Sequence, residues 1–288
     1  MIPAEFTYTA ARSVDEALRL LSASPDAKIL GGGMSLIPAM KLRLANPPAL
    51  VDITRIPELG AIRRSGDAIA MGACVAHHRL LASEEVRGVD VVAEAAYAIG
   101  DLQVRNRGTI GGSLVHADPA ADWPAVFLAL DGEAVLRGPR GERRVPAASF
   151  FTGMLQSATG PDEILTEVRL AAPGARNATA YVKMRHPASG FAIVGVAVSL
   201  GLDARGRCER AAIGVTGVNA SPFRARSVES ALQGGALEPA DVEKACAAIA
   251  ECDPMGDAFA SGEYRRHLLG VYIGRAIARA RARAAQRS

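Results

Sequence analysis

Two short glycine-rich runs are the residues of this chain whose types and spacing best suit chemistry: Gly31-Gly32-Gly33-Met34-Ser35 and Thr109-Ile110-Gly111-Gly112-Ser113, each following an apolar or helical stretch. Backbone without side chains lets a ligand come close and leaves peptide N–H groups as donors, so the pair suggests two loops closing on one phosphorylated ligand. The hydroxyls of Ser35, Thr109 and Ser113 would add donors without bringing in several positive charges. Arg105 and Arg107 precede the second run, where they either attract an anion or serve as ordinary surface residues. Asp122 lies nine residues beyond Ser113. It either accepts hydrogen bonds from ligand hydroxyl or base N–H groups, or caps a helix starting near Trp123-Pro124.

The first run also resembles two well-known nucleotide motifs, and fails both. Gly31 and Gly33 satisfy GxG, and Asp52 ends a strand about twenty residues later, as a ribose-binding acid would. Leu36, however, occupies the place of the last glycine and would block the close helix–sheet approach that this glycine permits. No Gly-Lys-Ser or Gly-Lys-Thr follows to hold terminal phosphates. A bare change of chain direction remains the other reading of the first run taken alone.

Other chemistries are poorly supported. Ser65 and Ser83 lack a nucleophile elbow, and His77, His78, His116, His186 and His267 form no metal motif. The adjacent pair His77-His78 must point in different directions on a helix or a strand, so the histidines are expected to be structural or surface residues. Cys74, Cys208, Cys246 and Cys252 are not paired as CxxC, which argues against a zinc knuckle or an iron–sulfur cluster within this chain and for reduced thiols in the cytoplasm. No stretch approaches membrane-spanning length, and Met1 to Glu5 leads into no basic-then-apolar signal. A formal net charge of +3 is no nucleic-acid signature. With 288 residues, 49% of them hydrophobic, the chain can bury a large core in two or three units.

These runs need elements to position them. Ser13 and Glu16 have capping-box spacing, and Val14, Ala17, Leu18 and Leu21 share one face, which predicts a helix over 13–21. Strands are predicted at 27–30 and 49–53, with a helical turn over 35–44 between them. A hairpin turn at 63–67 leads into a strand at 68–71, and a helix covers 89–99. Residues 101–107 read as a polar connector to the second glycine turn. A helical or buried stretch at 123–130 and strands at 134–136 and 164–170 complete this part, and Ala171-Ala172-Pro173-Gly174 is the clearest boundary. Beyond it, strands at 179–184, 191–200 and 210–218 precede helices at 227–232, 239–250 and 263–280. In the last helix Leu269, Tyr272, Ile273 and Ala276 form a core-facing stripe, and its basic end reads as a solvated face.

The run from Ile29 through Pro38, followed by Lys41-Leu42-Arg43-Leu44, resembles the first flavin loop of the FAD-binding medium subunits of the carbon monoxide dehydrogenase and xanthine dehydrogenase type, the molybdenum hydroxylases. The run from Ile99 through Ser113 resembles their second loop still more closely, and Ala117 to Asp122 continues it. Tyr181-Val182-Lys183 and Glu263 to Leu268 look like the family's C-terminal domain. The resemblance implies an α+β fold. It comprises a PCMH-type, vanillyl-alcohol-oxidase-like FAD-binding region in two subdomains, 1–55 and 56–174, and a smaller α+β domain over 175–288. It implies FAD as cofactor, with Leu30, Gly31, Gly32, Gly33, Met34, Ser35, Leu36 and Ile37, and Thr109, Ile110, Gly111, Gly112 and Ser113, around the pyrophosphate. Asp122 would bind the polar portion, Ile99, Leu165 and Lys183 would lie near the flavin ring or its ribityl end, and Tyr181 would be a neighbouring contact. Ile99 and Leu165 equally suit a core. Many carbon monoxide dehydrogenase-like members have His where this chain has Met34, which replaces an imidazole hydrogen bond with polarizable packing.

The same resemblance implies partners. A large subunit would carry a molybdenum–pterin cofactor, a small one two [2Fe–2S] clusters, and the assembly would be a dimer of heterotrimers. This chain would pass electrons from the clusters to an external acceptor. A stand-alone flavin oxidoreductase and a non-catalytic nucleotide-binding assembly protein are the alternatives.

Overall fold

In the computed structural model, which describes residues 1–174 and 177–287, the chain builds three larger β-sheets and a two-stranded ribbon, with mixed α and β content throughout. The N-terminal part runs β1 (Thr7–Ala10), α1 (Val14–Ala23), β2 (Lys28–Leu30), α2 (Leu36–Lys41) and β3 (Ala49–Asp52). Its strands pair in parallel in the order β1-β3-β2. Ser13 starts α1 by accepting the Glu16 N–H at 3.1 Å, and Glu16 reaches back to the Arg12 N–H at 2.8 Å, one residue before the position a strict capping box uses. Strand β1 is absent from the sequence reading. Its residues are exposed or half-buried, so it carries no alternating pattern, and its pairing to β3 is a long-range contact.

The middle part runs β4 (Ile62–Ser65), β5 (Ala68–Gly72), α3 (His77–Leu81), α4 (Asp90–Ala98), α5 (Leu102–Arg107), α6 (Ile110–His116), α7 (Trp123–Ala129), β6 (Glu133–Gly138), β7 (Gly141–Pro146), β8 (Phe151–Gly153), β9 (Gln156–Ser157) and β10 (Ile164–Ala171). Five of these strands form an antiparallel sheet in the order β4-β5-β10-β6-β7, while β8 and β9 form the ribbon. Trp123, Phe127 and Phe150 are fully buried in the core against it.

Two readings from sequence are corrected here. Residues 101–107 are no open connector but helix α5, because the Asp101 carboxylate accepts the Val104 N–H at 2.8 Å. The second glycine run is likewise not a free turn. Thr109 caps helix α6 by accepting the Gly112 N–H at 3.1 Å, and Gly111 and Gly112 sit inside its first turn. Each helical glycine costs about 1 kcal/mol against alanine. Gly111 shows why one is used: a Cβ there would lie 2.5 Å from Ala73 Cβ, so only glycine lets α6 lie against the strand end.

The C-terminal part runs β11 (Asn177–Arg185), β12 (Ala192–Leu202), β13 (Cys208–Thr216), β14 (Phe223–Arg224), α8 (Arg226–Leu232), α9 (Pro239–Ala247) and α10 (Gly262–Arg287). The strands form an antiparallel sheet in sequence order. Every residue of β12 is buried, because α10 packs on one side of the sheet and α7 reaches it from the middle part. Leu269, Tyr272, Ile273 and Ala276 are buried as their spacing predicts. The basic end of α10 is not simply solvated. Arg279 and Arg283 form ion pairs with Glu94 of α4 at 3.1 and 2.6 Å, and both donate to carbonyls of edge strand β11. The expected boundary after Gly174 adjoins residues 175 and 176, which lie outside the described residues.

Candidate functional site

The two glycine runs touch. A Cβ at Gly32 would sit 2.7 Å from Gly108 Cα and nearer still to the Arg107 carbonyl oxygen, and one at Gly31 would sit 3.2 Å from Thr109 Oγ1. Side chains at these positions would push the runs apart. Between and beyond them opens a cleft of about 1050 Å³, at the upper end of what small-molecule and cofactor sites use.

The runs differ in what they offer. Among the described residues, the N–H groups of Gly32, Gly33, Met34 and Ser35 have no hydrogen-bond partner. Gly33 holds this conformation at a φ of 76°, a left-handed region that favours glycine. In the second run the amides of Ile110 and Gly111 donate to Val75 and Ala73 carbonyls at 3.0 and 2.9 Å, and Ser113 donates to Thr109 O at 3.1 Å. With Gly112 engaged by the Thr109 hydroxyl, the amides of 110–113 are all occupied within the protein. The expectation that both runs present amide donors therefore holds for Gly32 to Ser35 in the first and for Thr109 alone in the second, whose N–H has no partner among the described residues. The second contributes the hydroxyls of Thr109 and Ser113.

Of the residues singled out from sequence, Leu30 to Leu36, Ile99, Thr109, Gly111 to Ser113, Asp122 and Leu165 line this one cleft. Ile110 is buried in the middle core and Ile37 lies on α2, behind Gly33. Leu165 is at once a buried core residue and part of the wall. Met34, by contrast, is 40% exposed at the rim.

Asp122, Tyr181 and Lys183 meet at the junction of the middle and C-terminal parts. Tyr181 Oη donates to Asp122 Oδ1 at 2.5 Å, and Lys183 Nζ lies 2.7 Å from the same oxygen. Asp122 flanks α7 but makes no cap hydrogen bond, so the helix-cap reading fails. Gly195 of β12 makes room for the phenol, since a Cβ there would lie 2.5 Å from Tyr181 Oη. Burial raises the Asp122 carboxyl above its ordinary value against the opposing pull of Lys183 and Tyr181. Burial lowers the Lys183 ammonium, with Asp122 offsetting part of that, and raises the Tyr181 phenol strongly. As an ion pair the cluster adds no net charge, so an anionic ligand group draws on the amides of the first run and the hydroxyls of Thr109 and Ser113.

The loop that presents Ile99 is fastened by three cations. Lys183 Nζ donates to Ala98 O at 3.0 Å, Arg185 to Gly100 O at 2.7 Å, and Arg105 to Ile99 O at 2.9 Å. These cations sit where the carbonyl end of α4 carries partial negative charge. Arg105 thus has a structural partner rather than a free surface. Asp52 is excluded as a ribose ligand by its partners: it accepts Tyr8 Oη at 2.5 Å and the Thr54 N–H and hydroxyl at 2.8 and 2.6 Å.

Sequence reasoning counted His77 among structural or surface histidines and gave it no place in the site. Its ring is 4% exposed and lines the cleft, and Nδ1 accepts the Trp123 Nε1–H at 3.0 Å. Burial, with Arg105 and His78 nearby, pushes its pKa down to about 4. His78 points outward and is exposed, so the pair diverges as expected.

Comparison with known proteins decides the family. Residues 4–173 match the FAD binding domain in molybdopterin dehydrogenase, and residues 179–280 match the CO dehydrogenase flavoprotein C-terminal domain. The chain belongs to the FAD-binding medium subunits of molybdenum hydroxylases. It is 39% identical over 288 residues to the carbon monoxide dehydrogenase medium chain of Hydrogenophaga pseudoflava, covering 99% of this chain and 100% of that one. It is 37% identical to the 6-hydroxypseudooxynicotine dehydrogenase complex subunit alpha of Paenarthrobacter nicotinovorans, covering 99% and 97%. The solved carbon monoxide dehydrogenase from H. pseudoflava that lacks the Mo-pyranopterin moiety contains a chain that superposes with a TM-score of 0.94 at 41% identity, over 98% of this chain and 99% of that one. This medium subunit is therefore a flavoprotein oxidoreductase component with FAD as its cofactor, in the expected α+β fold. The free amides of the first run, the contact between runs that only glycine permits, and the size of the cleft all fit that cofactor.

Proposed function

We propose that this medium subunit relays electrons within a molybdenum hydroxylase, from [2Fe–2S] clusters of a small partner subunit to an external acceptor, while a large partner carrying molybdenum–pterin oxidises the substrate. Bound FAD supplies one- and two-electron redox chemistry. The chain's own residues bind and orient it. In this reading, Leu30 to Ile37 and Thr109 to Ser113 embrace the pyrophosphate, with Gly32 to Ser35 giving amide hydrogen bonds and Thr109 and Ser113 giving hydroxyls. Asp122 receives a cofactor hydroxyl or N–H, held in place by Tyr181 and Lys183. Ile99 and Leu165 supply apolar wall near the flavin, the first on a loop fastened by Lys183, Arg185 and Arg105. The divisions 1–55, 56–174 and 175–288 belong to the same reading, which the grouping of the strands into three larger sheets supports.

The observation that carries the reading is the direct contact of two glycine runs over one cleft, with unpartnered amides on one side. The dimer of heterotrimers and the cytoplasmic location belong to the same proposal. Native purification with neighbouring subunits should give about one FAD per medium chain, together with molybdenum and iron. Removing flavin should stop acceptor reduction while substrate still bleaches the iron–sulfur absorbance. A flavin-free complex that reduces the acceptor at an undiminished rate would overturn the relay. An isolated chain that turns over an organic substrate unaided would favour the stand-alone oxidoreductase.

A further inference from the structure

We propose that His77 is a cofactor-binding residue, donating its Nε2–H to an oxygen of the bound flavin nucleotide; this rests on the cleft being the flavin site. Three observations meet at this ring. First, its protonation state is set from behind. Trp123 Nε1–H is a donor only, so His77 Nδ1 must be the acceptor of their 3.0 Å hydrogen bond, and in the neutral ring the proton then sits on Nε2. Second, among the described residues Nε2 has no hydrogen-bond partner, although the residue is 4% exposed and lines the cleft. The nitrogen keeps accessible surface of its own, so it opens on the cleft, where a ligand oxygen can replace water as its acceptor.

Third, the place is specific. A Cβ on Gly108 would stand 2.7 Å from His77 Nε2, while the built Cβ of Gly32 stands 2.7 Å from Gly108 Cα. Gly32, Gly108 and His77 therefore lie in a row, and only glycine at 108 leaves space at Nε2. The donor sits beside the second run, whose amides from Ile110 to Ser113 are occupied, so it lies where the backbone offers little. The low pKa agrees with the geometry, since the ring is neutral near pH 7 and offers a directed hydrogen bond rather than a charge. Donors thus face the same cleft from two places: unpartnered amides from the first run, and an imidazole N–H next to Gly108.

The test uses the full chain, stripped of flavin and titrated with FAD. His77→Asn keeps an acceptor at the Nδ1 position for Trp123 but removes the deeper donor; His77→Gln places an amide N–H near the Nε2 position. His77→Asn should weaken FAD binding about tenfold and His77→Gln about twofold or less, as expected for one hydrogen bond. Trp123 is the chain's one tryptophan, so its fluorescence reports whether the apo fold and the rear hydrogen bond survive substitution. Selective 15N labelling of histidine adds a direct readout: the His77 Nε2–H resonance should move on FAD addition while Nδ1 stays unprotonated. Wild type that binds FAD, with His77→Asn binding equally well and an unmoved Nε2–H resonance, would overturn this assignment alone. Wild type unable to bind FAD, alone or with its partners, would instead overturn the flavin site itself.

Discussion

The two glycine runs read alike in sequence and face one cleft, yet they work in opposite ways. In the first, Gly32 to Ser35 keep four amides without partners, and glycine is needed because the neighbouring run presses against it. In the second, the amides from Ile110 to Ser113 are engaged at the start of a capped helix, and glycine serves to let that helix approach Ala73. One wall thus offers backbone and the other offers side chains. Glycine spacing marks where backbone comes close to something; what it comes close to is decided by the hydrogen bonds around it.

The side-chain wall should be the easier to break by removing single groups. Asp122→Ala leaves the Lys183 ammonium and the Tyr181 hydroxyl buried without their shared acceptor, and should cost about 3–5 kcal/mol in urea unfolding. Adding Lys183→Met should recover part of that loss. An Asp122→Ala variant that unfolds at the wild-type urea midpoint would show the cluster to be dispensable for the fold.

A pH comparison tests the same wall. The His77 pKa falls from 6.5 to about 4 on folding, so between those values the unfolded chain binds a proton that the native ring does not. Stability is therefore complete above pH 6.5 and falls as the solution is acidified toward pH 4, by roughly 3 kcal/mol. Relative to His77→Gln, wild type should show this extra acid sensitivity, measured by thermal or urea unfolding at matched pH. Parallel profiles would mean that the ring is hydrated or paired when protonated.

The backbone wall calls for an added group instead of a removed one. Gly32→Ala should cost about 1–3 kcal/mol through overpacking and release flavin on gel filtration, because the new methyl meets backbone that cannot rotate away. The smallest effect sharpens the contrast: Thr109→Ala should lose about 1 kcal/mol through its cap, with Thr109→Ser close to wild type. A Thr109→Ala variant that unfolds as readily as Gly32→Ala would remove the distinction between the walls.

What could be read from sequence follows the range of the interactions involved. Ser13 with Glu16, the stripe on α10 and the strands of the C-terminal sheet are local patterns, and all are present. Helices α5 and α6 were concealed because their polar or glycine-rich interiors argue against helix, while the deciding signal in each is one N-terminal cap, Asp101 or Thr109. Strand β1 has no pattern of its own and is held by pairing with β3. Most of the expected site residues do converge, but their spacing gave no hint of which amides were already engaged. His77 was concealed for a related reason. Its meaning depends on Trp123, which lies 46 positions away and meets it only in the folded chain.

The last helix has a consequence for handling this protein. Arg279 and Arg283 tie its far turns to Glu94 and to the outer carbonyls of Tyr181 and Thr179. Trimming those turns, or crowding them with a fused purification tag, would leave most of the helix seated and loosen the strand that carries the phenol and ammonium beneath the cleft. Damage at the chain terminus would then be felt first as a leaking cofactor, well before any loss of helical signal.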